Sequence, residues 1–211
     1  MAVDYKKEYK EFYQPPKKPG IVTVPAMNFL AVRGQGDPNE EGSAYKRAVE
    51  LLYNLAFTVK MSKMGKHKLE GYFDYVVPPL EGLWWQENTH GVDYSRKADF
   101  RWIALIRLPE FVTKDAFDWA IREATEKKQR DFSKVEFFSW EEGLCVQCMH
   151  IGLYDDELAT VAAMEEYTKT QGYELDFSHG RFHHEIYLSD VRRCKPEKLK
   201  TVIRQPIRRI P

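Results

Sequence analysis

The chain alternates apolar and polar positions with a period of two in one conspicuous stretch, residues 181–190. A period of two predicts a β-strand, because successive side chains of a strand point to opposite faces. One predicted face carries Phe182, His184, Ile186 and Leu188, and the other carries His183, Glu185, Tyr187 and Ser189. A carboxylate in mid-strand is costly to bury unless its charge is needed there. Glu185 is therefore either a functional group or part of a solvated outer face.

Apolar residues recur at the three-to-four spacing of amphipathic helices in three other segments. A helix is predicted from Ser43 to about residue 59, with Ser43 as its N-cap and Leu51, Leu52 and Leu55 in its buried stripe. A second is predicted over 113–128, capped by Thr113. A third is predicted over 157–171, and Gly172 would end it.

The remaining apolar segments predict strands that occur twice in the same order. Residues 21–24 and 27–33 predict a hairpin turning at Pro25-Ala26, and residues 135–140 and 144–151 predict another. Each is followed by a loop, a helix and a strand, with an offset of about 115 residues. We also expect strands at 72–77 and 100–108. This pattern predicts an α+β fold of two duplicated ββαβ halves, with a mostly antiparallel sheet and helices on one face. Residues 1–20 would be an N-terminal arm, and residues 21–211 a single domain.

The composition excludes several classes of function. The chain has 211 residues, with 32 Lys and Arg against 32 Asp and Glu. A net charge of zero argues against a nucleic-acid-binding protein, because neutralising phosphates usually leaves a basic surplus. No apolar run approaches the roughly 20 residues of a membrane span. The first residues lack the apolar core of a signal peptide, so we expect a cytoplasmic protein.

Metal, thiol and cofactor chemistry receive little support from the sequence. Cys145 and Cys148 form a Cys-x-x-Cys pattern, but it lies in a predicted strand and no second pair completes a zinc site. His183 and His184 would diverge, because neighbours on a strand face opposite ways. We therefore expect core cysteines, no metal and no cofactor.

Aromatic residues make up 14% of the chain, and several lie on predicted strands or at their ends. These are Tyr72, Tyr75, Trp84, Trp85, Trp102 and Trp140. Rings around a central carboxylate would form a cage for a flat or cationic organic molecule. Apolar surroundings disfavour an ionised carboxylate, which suits a general base for water. Core packing is the alternative for each ring, although the adjacent Trp84 and Trp85 cannot both face one core.

Four segments resemble the GyrI-like small-molecule-binding family, and in particular its stand-alone members. They read YFDYVVPPLEGLWW at 72–85, PEFVT at 109–113, EGLCVQ at 142–147 and HHEIYLSD at 183–190. The last segment, continuing through Arg192-Arg193 and 196–200, is the most specific, and the likeness extends over nearly the whole chain.

The resemblance implies two halves about a pseudo-twofold axis with a ligand cleft between them. Glu185 matches the family's central glutamate, and stand-alone members are reported to hydrolyse cyclopropanoid electrophiles, which protects cells against alkylating compounds. We therefore predict a metal-free hydrolase that opens strained three-membered rings in small hydrophobic compounds, with Glu185 as the general base and Tyr187 or Tyr75 assisting. Trp84, Trp85, Trp102, Tyr72 and His183 would contact the substrate. The alternatives are sequestration of planar or cationic lipophiles without chemistry, and a less favoured interaction with gyrase.

Overall fold

The computed structural model describes residues 2–65, 67–178 and 180–210. Its α-helices are α1 (Tyr5–Glu8), α2 (Lys10–Tyr13), α3 (Ala44–Lys60), α4 (Lys114–Lys128) and α5 (Leu158–Thr170). Short 3₁₀ helices span Met61–Met64, Tyr94–Asp99, Tyr154–Asp156 and Pro196–Lys198. The three long helices confirm the periodicity argument. Ser43 caps α3 by accepting a hydrogen bond from the Lys46 amide, and Thr113 caps α4 through the Ala116 amide.

The strands are β1 (Gly20–Gln35), β2 (Leu80–Trp85), β3 (Arg101–Arg107), β4 (Glu136–Ile151), β5 (Tyr173–Leu175), β6 (His183–Tyr187) and β7 (Lys200–Arg209). They form a seven-stranded sheet in the order β4-β1-β3-β2-β6-β7-β5, and every pair of named strands is antiparallel. β4 also pairs with β7, so six of the strands form a closed ring. The α+β fold with an antiparallel sheet is confirmed.

Both predicted hairpins are wrong in detail, because each is one continuous strand. β1 and β4 have 16 residues each and pair with one another. The pairing passes from Val24 opposite Gly143 to Ala26 opposite Glu141, so Pro25 lies within β1 and does not turn the chain. Proline lacks an N–H for the ladder, and Gly143 has a φ of 73°, which fits an irregularity in the pairing here rather than a turn.

The strand predicted at 72–77 is also wrong. These residues lie outside the seven strands, and Tyr75 forms an isolated bridge with Val3 of the arm. The ring of Tyr75 packs with Tyr72, Phe73 and Phe111. Residues 72–77 have the aromatic and β-branched composition of a strand, but they pack as an irregular segment.

The sheet has two faces, which we call the helix face and the arm face. On the helix face, α3 and α4 cover a core that includes Leu30, Trp84, Trp102 and Ile106. α5 supplies Met164 to a second core with Val146, Cys148, Ile203 and Ile207. α3 contacts β1 and β3, and α5 contacts β4 and β5. In the order of the sheet, β2 and β6 lie between β3 and β5. Glu185, on β6, is therefore placed between the strands covered by α3 and those covered by α5.

The arm face carries the alternate side chains of the same strands. Phe29, Leu83, Ile103 and Leu105 form one apolar cluster on this face. The arm adds Tyr5, Phe12 and Tyr13, which pack with Val24, Tyr75, Ile186 and Val202.

Cys145 and Cys148 are buried and unbonded to each other, as expected for core cysteines. Of the helices in the described ranges, none is long and apolar enough to span a membrane.

Candidate functional site

Glu185 lies at the centre of β6 on the helix face. It pairs across the sheet with Gly82 on one side and Ile203 on the other. Only 6% of the residue is exposed, so the interpretation of Glu185 as part of a solvated face is wrong. Its Oε1 atom lies 3.2 Å from Nε2 of His183, the residue two positions earlier on the same face. A buried carboxylate needs such a polar neighbour, because an isolated charge is strongly disfavoured there.

A second buried carboxylate, Glu157, approaches His183 from the start of α5. Its Oε2 atom is 3.9 Å from His183 Nε2 and accepts a hydrogen bond of 3.1 Å from the Tyr94 hydroxyl. Glu157 precedes the first residue of α5, where an acidic side chain often caps a helix, but it makes no capping hydrogen bond. Sequence reasoning treated Glu157 only as a helix start. Its place beside Glu185 depends on how α5 packs.

Tyr187 and Trp84 lie over the same face beside Glu185. The Trp84 indole N–H donates a hydrogen bond of 3.1 Å to the Tyr187 hydroxyl, and that hydroxyl is also within hydrogen-bonding reach of Glu185. Burial and then the charge of Glu185 raise the pKa of Tyr187 well above its ordinary value. Tyr187 therefore remains a neutral hydrogen-bond donor at physiological pH.

Gly82 makes room for this pair. A Cβ atom at Gly82 would lie 2.6 Å from the Trp84 indole nitrogen and 3.0 Å from the Tyr187 hydroxyl oxygen. Trp102 depends on a glycine in the same way, because a Cβ atom at Gly34 would lie 2.3 Å from its ring. Trp102 thus lies over Gly34 of the neighbouring strand β1, and Trp84 folds back over Gly82, two residues earlier on its own strand.

Tyrosines that the sequence analysis did not select complete the surroundings of Glu185. Tyr45 of α3 contacts the rings of Trp84 and Trp102, with centroids 5.0 and 5.1 Å apart. Tyr154 packs edge-on against Tyr187 at 5.3 Å, and burial, followed by the charge of Glu185, raises the pKa of Tyr154 to about 12. Tyr45, Tyr154 and Tyr187 are each partly exposed, whereas Glu185 is buried. They form a rim, which we call the tyrosine rim.

On the aromatic side of this region, two buried hydrogen-bonding atoms have no hydrogen-bond partner in the described part of the chain. They are the Tyr45 hydroxyl and the Trp102 indole nitrogen. Buried polar groups are nearly always hydrogen-bonded, so such atoms indicate a place for a ligand or for water. Both lie on the aromatic side of the site.

The structure brings some predicted site residues to Glu185 and separates others. Glu185, His183, Tyr187 and Trp84 lie together, and Trp102 is connected to them through Tyr45.

Three predicted site residues lie elsewhere, which corrects the sequence interpretation. Trp85 alternates to the arm face, where it packs on Phe182. Tyr75 belongs to the cluster of the arm. The Tyr72 hydroxyl donates to the Lys60 carbonyl outside the site. Trp85 was misplaced because two adjacent strand residues cannot share a face, and Tyr72 and Tyr75 because their segment is not a strand.

His184, the neighbour of His183, occupies a different environment on the arm face. Its Nδ1 atom lies 3.0 Å from Glu142 Oε1 and its Nε2 atom 2.9 Å from Glu81 Oε2. Arg204 donates to Glu142 Oε2 at 2.7 Å and to the Phe12 carbonyl of the arm at 2.8 Å. Tyr13 of the arm donates to Glu81 Oε1 at 3.3 Å. We call this set the arm-face network, and it is buried throughout.

In the arm-face network, each charged group lies beside a group of opposite charge. Burial lowers the pKa of His184, but the two carboxylates outweigh it and raise the pKa from 6.5 to about 9. Burial raises the pKa of Glu142, yet Arg204 and then His184 lower it from 4.5 to about 2. Two carboxylates thus balance one imidazolium and one guanidinium. A small cavity lies beside them, lined by residues such as Phe12, Tyr13 and Trp140.

Comparison with known proteins identifies the family. The model of the GyrI-like small molecule binding domain matches residues 17–208. A crystal structure of an uncharacterized conserved protein from Listeria innocua is 47% identical, with a TM-score of 0.92, and the match covers 98% of this chain and 100% of that one. A hydrolase from Listeria innocua is 45% identical, with a TM-score of 0.88 and the same coverage.

More distant structures share only the fold. The C-terminal domain of EcmrR is 11% identical, with a TM-score of 0.57 over 92% of this chain and 98% of that domain. No functionally curated protein matches the chain. Because the family model spans nearly all of the sequence, the chain belongs to the GyrI-like small-molecule-binding family.

Proposed function

We propose that this protein is a hydrolase that opens strained three-membered rings in small hydrophobic electrophiles, with Glu185 activating the attacking water. The observation that carries the proposal is the Glu185 carboxylate, buried beneath the tyrosine rim and held 3.2 Å from His183. The identity of 45% with a Listeria innocua hydrolase supports hydrolysis as the general reaction. Cyclopropanoid and cyclopropenone compounds are the substrate class.

The reaction needs little from the protein, because ring strain already activates the substrate. Glu185 takes a proton from water, and the water oxygen forms a bond to one ring carbon. In a cyclopropane conjugated to a carbonyl, a carbon–carbon bond of the ring breaks, and its electron pair moves into that carbonyl to give an enolate oxygen. Tyr187 donates a hydrogen bond to that oxygen, which stabilises the developing charge. The enolate is then protonated, and Glu185 returns to its carboxylate form by losing its proton.

The aromatic side chains position the substrate for this attack. Trp84 and Tyr45 offer ring faces beside Glu185, and the buried Tyr45 hydroxyl is available to a polar substituent of the ligand. Holding water and electrophile together removes much of the entropic barrier of a bimolecular step. Only 6% of Glu185 is exposed to solvent, so the tyrosine rim must open for a ligand to reach the carboxylate.

The test is incubation with a cyclopropenone or a cyclopropane conjugated to a carbonyl, followed by mass spectrometry for the product that has gained water. Glu185→Gln keeps the shape of the side chain but removes the base, so we expect the rate to fall by about 10²–10⁴-fold. Glu141→Gln, at an exposed position of β4, is the matched control and should react like the wild type. Equal rates for wild type and Glu185→Gln would refute the mechanism.

A second candidate is sequestration of planar or cationic lipophiles without chemistry. The pairing of aromatic rings with buried carboxylates favours it, because cations are attracted both to ring faces and to carboxylates. Quenching of tryptophan fluorescence should then report binding of a lipophilic cation, and Glu185→Gln should weaken it by about 1–3 kcal/mol. Binding of electrophiles without any gain of water would favour sequestration over hydrolysis.

A further inference from the structure

Glu157, His183 and Glu185 place three potential metal ligands close together inside the protein. Within the described residues, their carboxylate oxygens and imidazole nitrogen lie within 4.8 Å of one another, and all three residues are buried. They come from two elements, since Glu157 precedes α5 and the other two belong to β6. We propose that these three residues form a binding site for a divalent transition-metal ion, with Zn²⁺ as the ion that fits the donors.

The distances fit a metal with small adjustments. Ligand atoms about 2.0–2.2 Å from Zn²⁺ lie roughly 3.0–3.5 Å from one another. His183 Nε2 and Glu185 Oε1 are already 3.2 Å apart, and His183 Nε2 and Glu157 Oε2 are 3.9 Å apart. The Glu157 and Glu185 oxygens lie within 4.8 Å of one another, so binding of the ion requires the two carboxylates to move closer together. One imidazole and two carboxylates suit a borderline ion better than Mg²⁺ or Ca²⁺, which prefer oxygen alone.

Gln205 of β7 supplies a second, independent observation. Its side chain is 2% exposed, its amide nitrogen lies 3.4 Å from His183 Nδ1, and its Oε1 atom has no hydrogen-bond partner in the described part of the chain. Turning the amide by half a rotation places Oε1 against Nδ1, where it accepts the Nδ1 proton. That hydrogen bond leaves the Nε2 lone pair directed at the two carboxylates, as in metal-binding histidines whose other nitrogen is held by an outer acceptor.

A neighbouring side chain keeps one of the proposed ligand atoms in place. Tyr94 donates a hydrogen bond of 3.1 Å to Glu157 Oε2, the oxygen that lies 3.9 Å from His183 Nε2. The buried Glu157 carboxylate is thereby held near the other two ligands.

Occupancy of the site would have a defined consequence for the proposed reaction, and this part rests on the proposed function. A metal ion coordinated by Glu185 withdraws electron density from the carboxylate and lowers its basicity, so Glu185 takes a proton from water less readily. Zn²⁺ is therefore an inhibitor of ring opening rather than its cofactor. The metal-free protein is the active form.

The test is titration of the chelator-treated full-length protein with Zn²⁺ by isothermal calorimetry, and with Co²⁺ by visible absorption. We expect one ion per chain, and Glu157→Gln and His183→Gln each to weaken binding by at least tenfold. Gln205→Leu should weaken it by about 10–100-fold, the effect typical of outer partners of metal ligands. Glu141→Gln and His90→Gln, at exposed positions, should bind like the wild type. Circular dichroism shows whether each variant is folded. If either Glu157→Gln or His183→Gln does not fold, the other one serves as the test of the ligand set.

Absence of Zn²⁺ binding to the wild type would overturn the proposal, and so would unchanged binding in folded Glu157→Gln and His183→Gln. Ring opening is measured in parallel with EDTA and with added Zn²⁺. Turnover in EDTA without any Zn²⁺ binding would overturn the metal site and leave the hydrolase proposal standing. Zn²⁺ binding without turnover either in EDTA or with added Zn²⁺ would overturn the hydrolase proposal and leave the metal site standing. Turnover only with added Zn²⁺ would overturn the role of Zn²⁺ as an inhibitor.

Discussion

His183 and His184 are adjacent in sequence, yet they face opposite sides of one strand and have different partners. His184 lies between Glu81 and Glu142 in a network that Arg204 completes, so its charges are matched and fixed. His183 lies beside Glu157 and Glu185 in a cluster of two carboxylates and one imidazole, beneath partly exposed tyrosines. Removing one member of a balanced, buried network is costly, because it leaves a buried charge unpaired. A buried carboxylate beside aromatic side chains is a candidate for chemistry.

We expect the largest loss of stability when a charged residue of the arm-face network is replaced. Glu142→Gln removes one partner from both His184 and Arg204 and leaves a buried positive charge uncompensated. Breaking a buried pair in this way typically costs about 3–5 kcal/mol. Urea denaturation would measure the free energy of unfolding. Glu141→Gln, one residue earlier and exposed, is the control and should stay within about 0.5 kcal/mol of wild type.

A cost below about 1 kcal/mol for Glu142→Gln would contradict the view that the arm-face network stabilises the fold. The same variant should leave the ring-opening rate of the folded protein within a small factor of wild type, because Glu142 faces away from Glu185.

The pH dependence of stability separates the same two faces. The pKa of His184 is raised in the folded state to about 9, so its contribution is complete below pH 6.5 and is lost as pH rises through about 9. The pKa of Glu142 is lowered to about 2, so its contribution is complete above pH 4.5 and is lost as pH falls toward about 2. The network therefore stabilises most between pH 4.5 and 6.5.

Urea denaturation across pH would compare the wild type with His184→Gln. The difference in unfolding free energy should be on the order of a few kcal/mol near pH 6, should shrink as pH rises from 6.5 to about 9, and should be largely gone above that. A difference that stays constant from pH 6 to pH 10 would mean that His184 contributes through packing and not through its charge.

A smaller effect is expected where glycines make room for the aromatic side chains. Gly82→Ala and Gly34→Ala would each force a Cβ atom into a tryptophan ring system, and overpacking of this kind costs about 1–3 kcal/mol. Gly20→Ala is the matched control, because its Cβ atom would meet nothing within 4 Å. Gly82→Ala should also slow ring opening, since it displaces Trp84 and Tyr187. A Gly82→Ala variant as stable and as active as Gly20→Ala would show that this packing is unimportant.

The sequence predicts those features that local chemistry determines. Ser43 and Thr113 mark the beginnings of helices through their capping side chains, and strand alternation assigns Glu185 and His184 to opposite faces. The family resemblance directs attention to Glu185, which the structure places in a buried cluster.

Features that depend on distant parts of the chain could not be predicted in this way. Glu157 reaches His183, and Tyr45 reaches Trp84, only because α5 and α3 pack on the sheet. The hairpin turn expected at Pro25 was wrong because β4 pairs along β1 on both sides of the proline. Tyr75 has a composition typical of a strand, but it packs against the arm and Phe111.

The measurement that tests the account most directly is single-turnover ring opening by Glu185→Gln and Glu81→Gln, together with the unfolding free energy of each. The two glutamates lie on neighbouring strands, with side chains on opposite faces. We expect Glu185→Gln to lose about 10²–10⁴-fold in rate and to remain folded, and Glu81→Gln to lose stability but to keep its rate when folded. Equal rates in the two variants, or a greater loss of rate in Glu81→Gln, would contradict the assignment of the chemistry to the helix face.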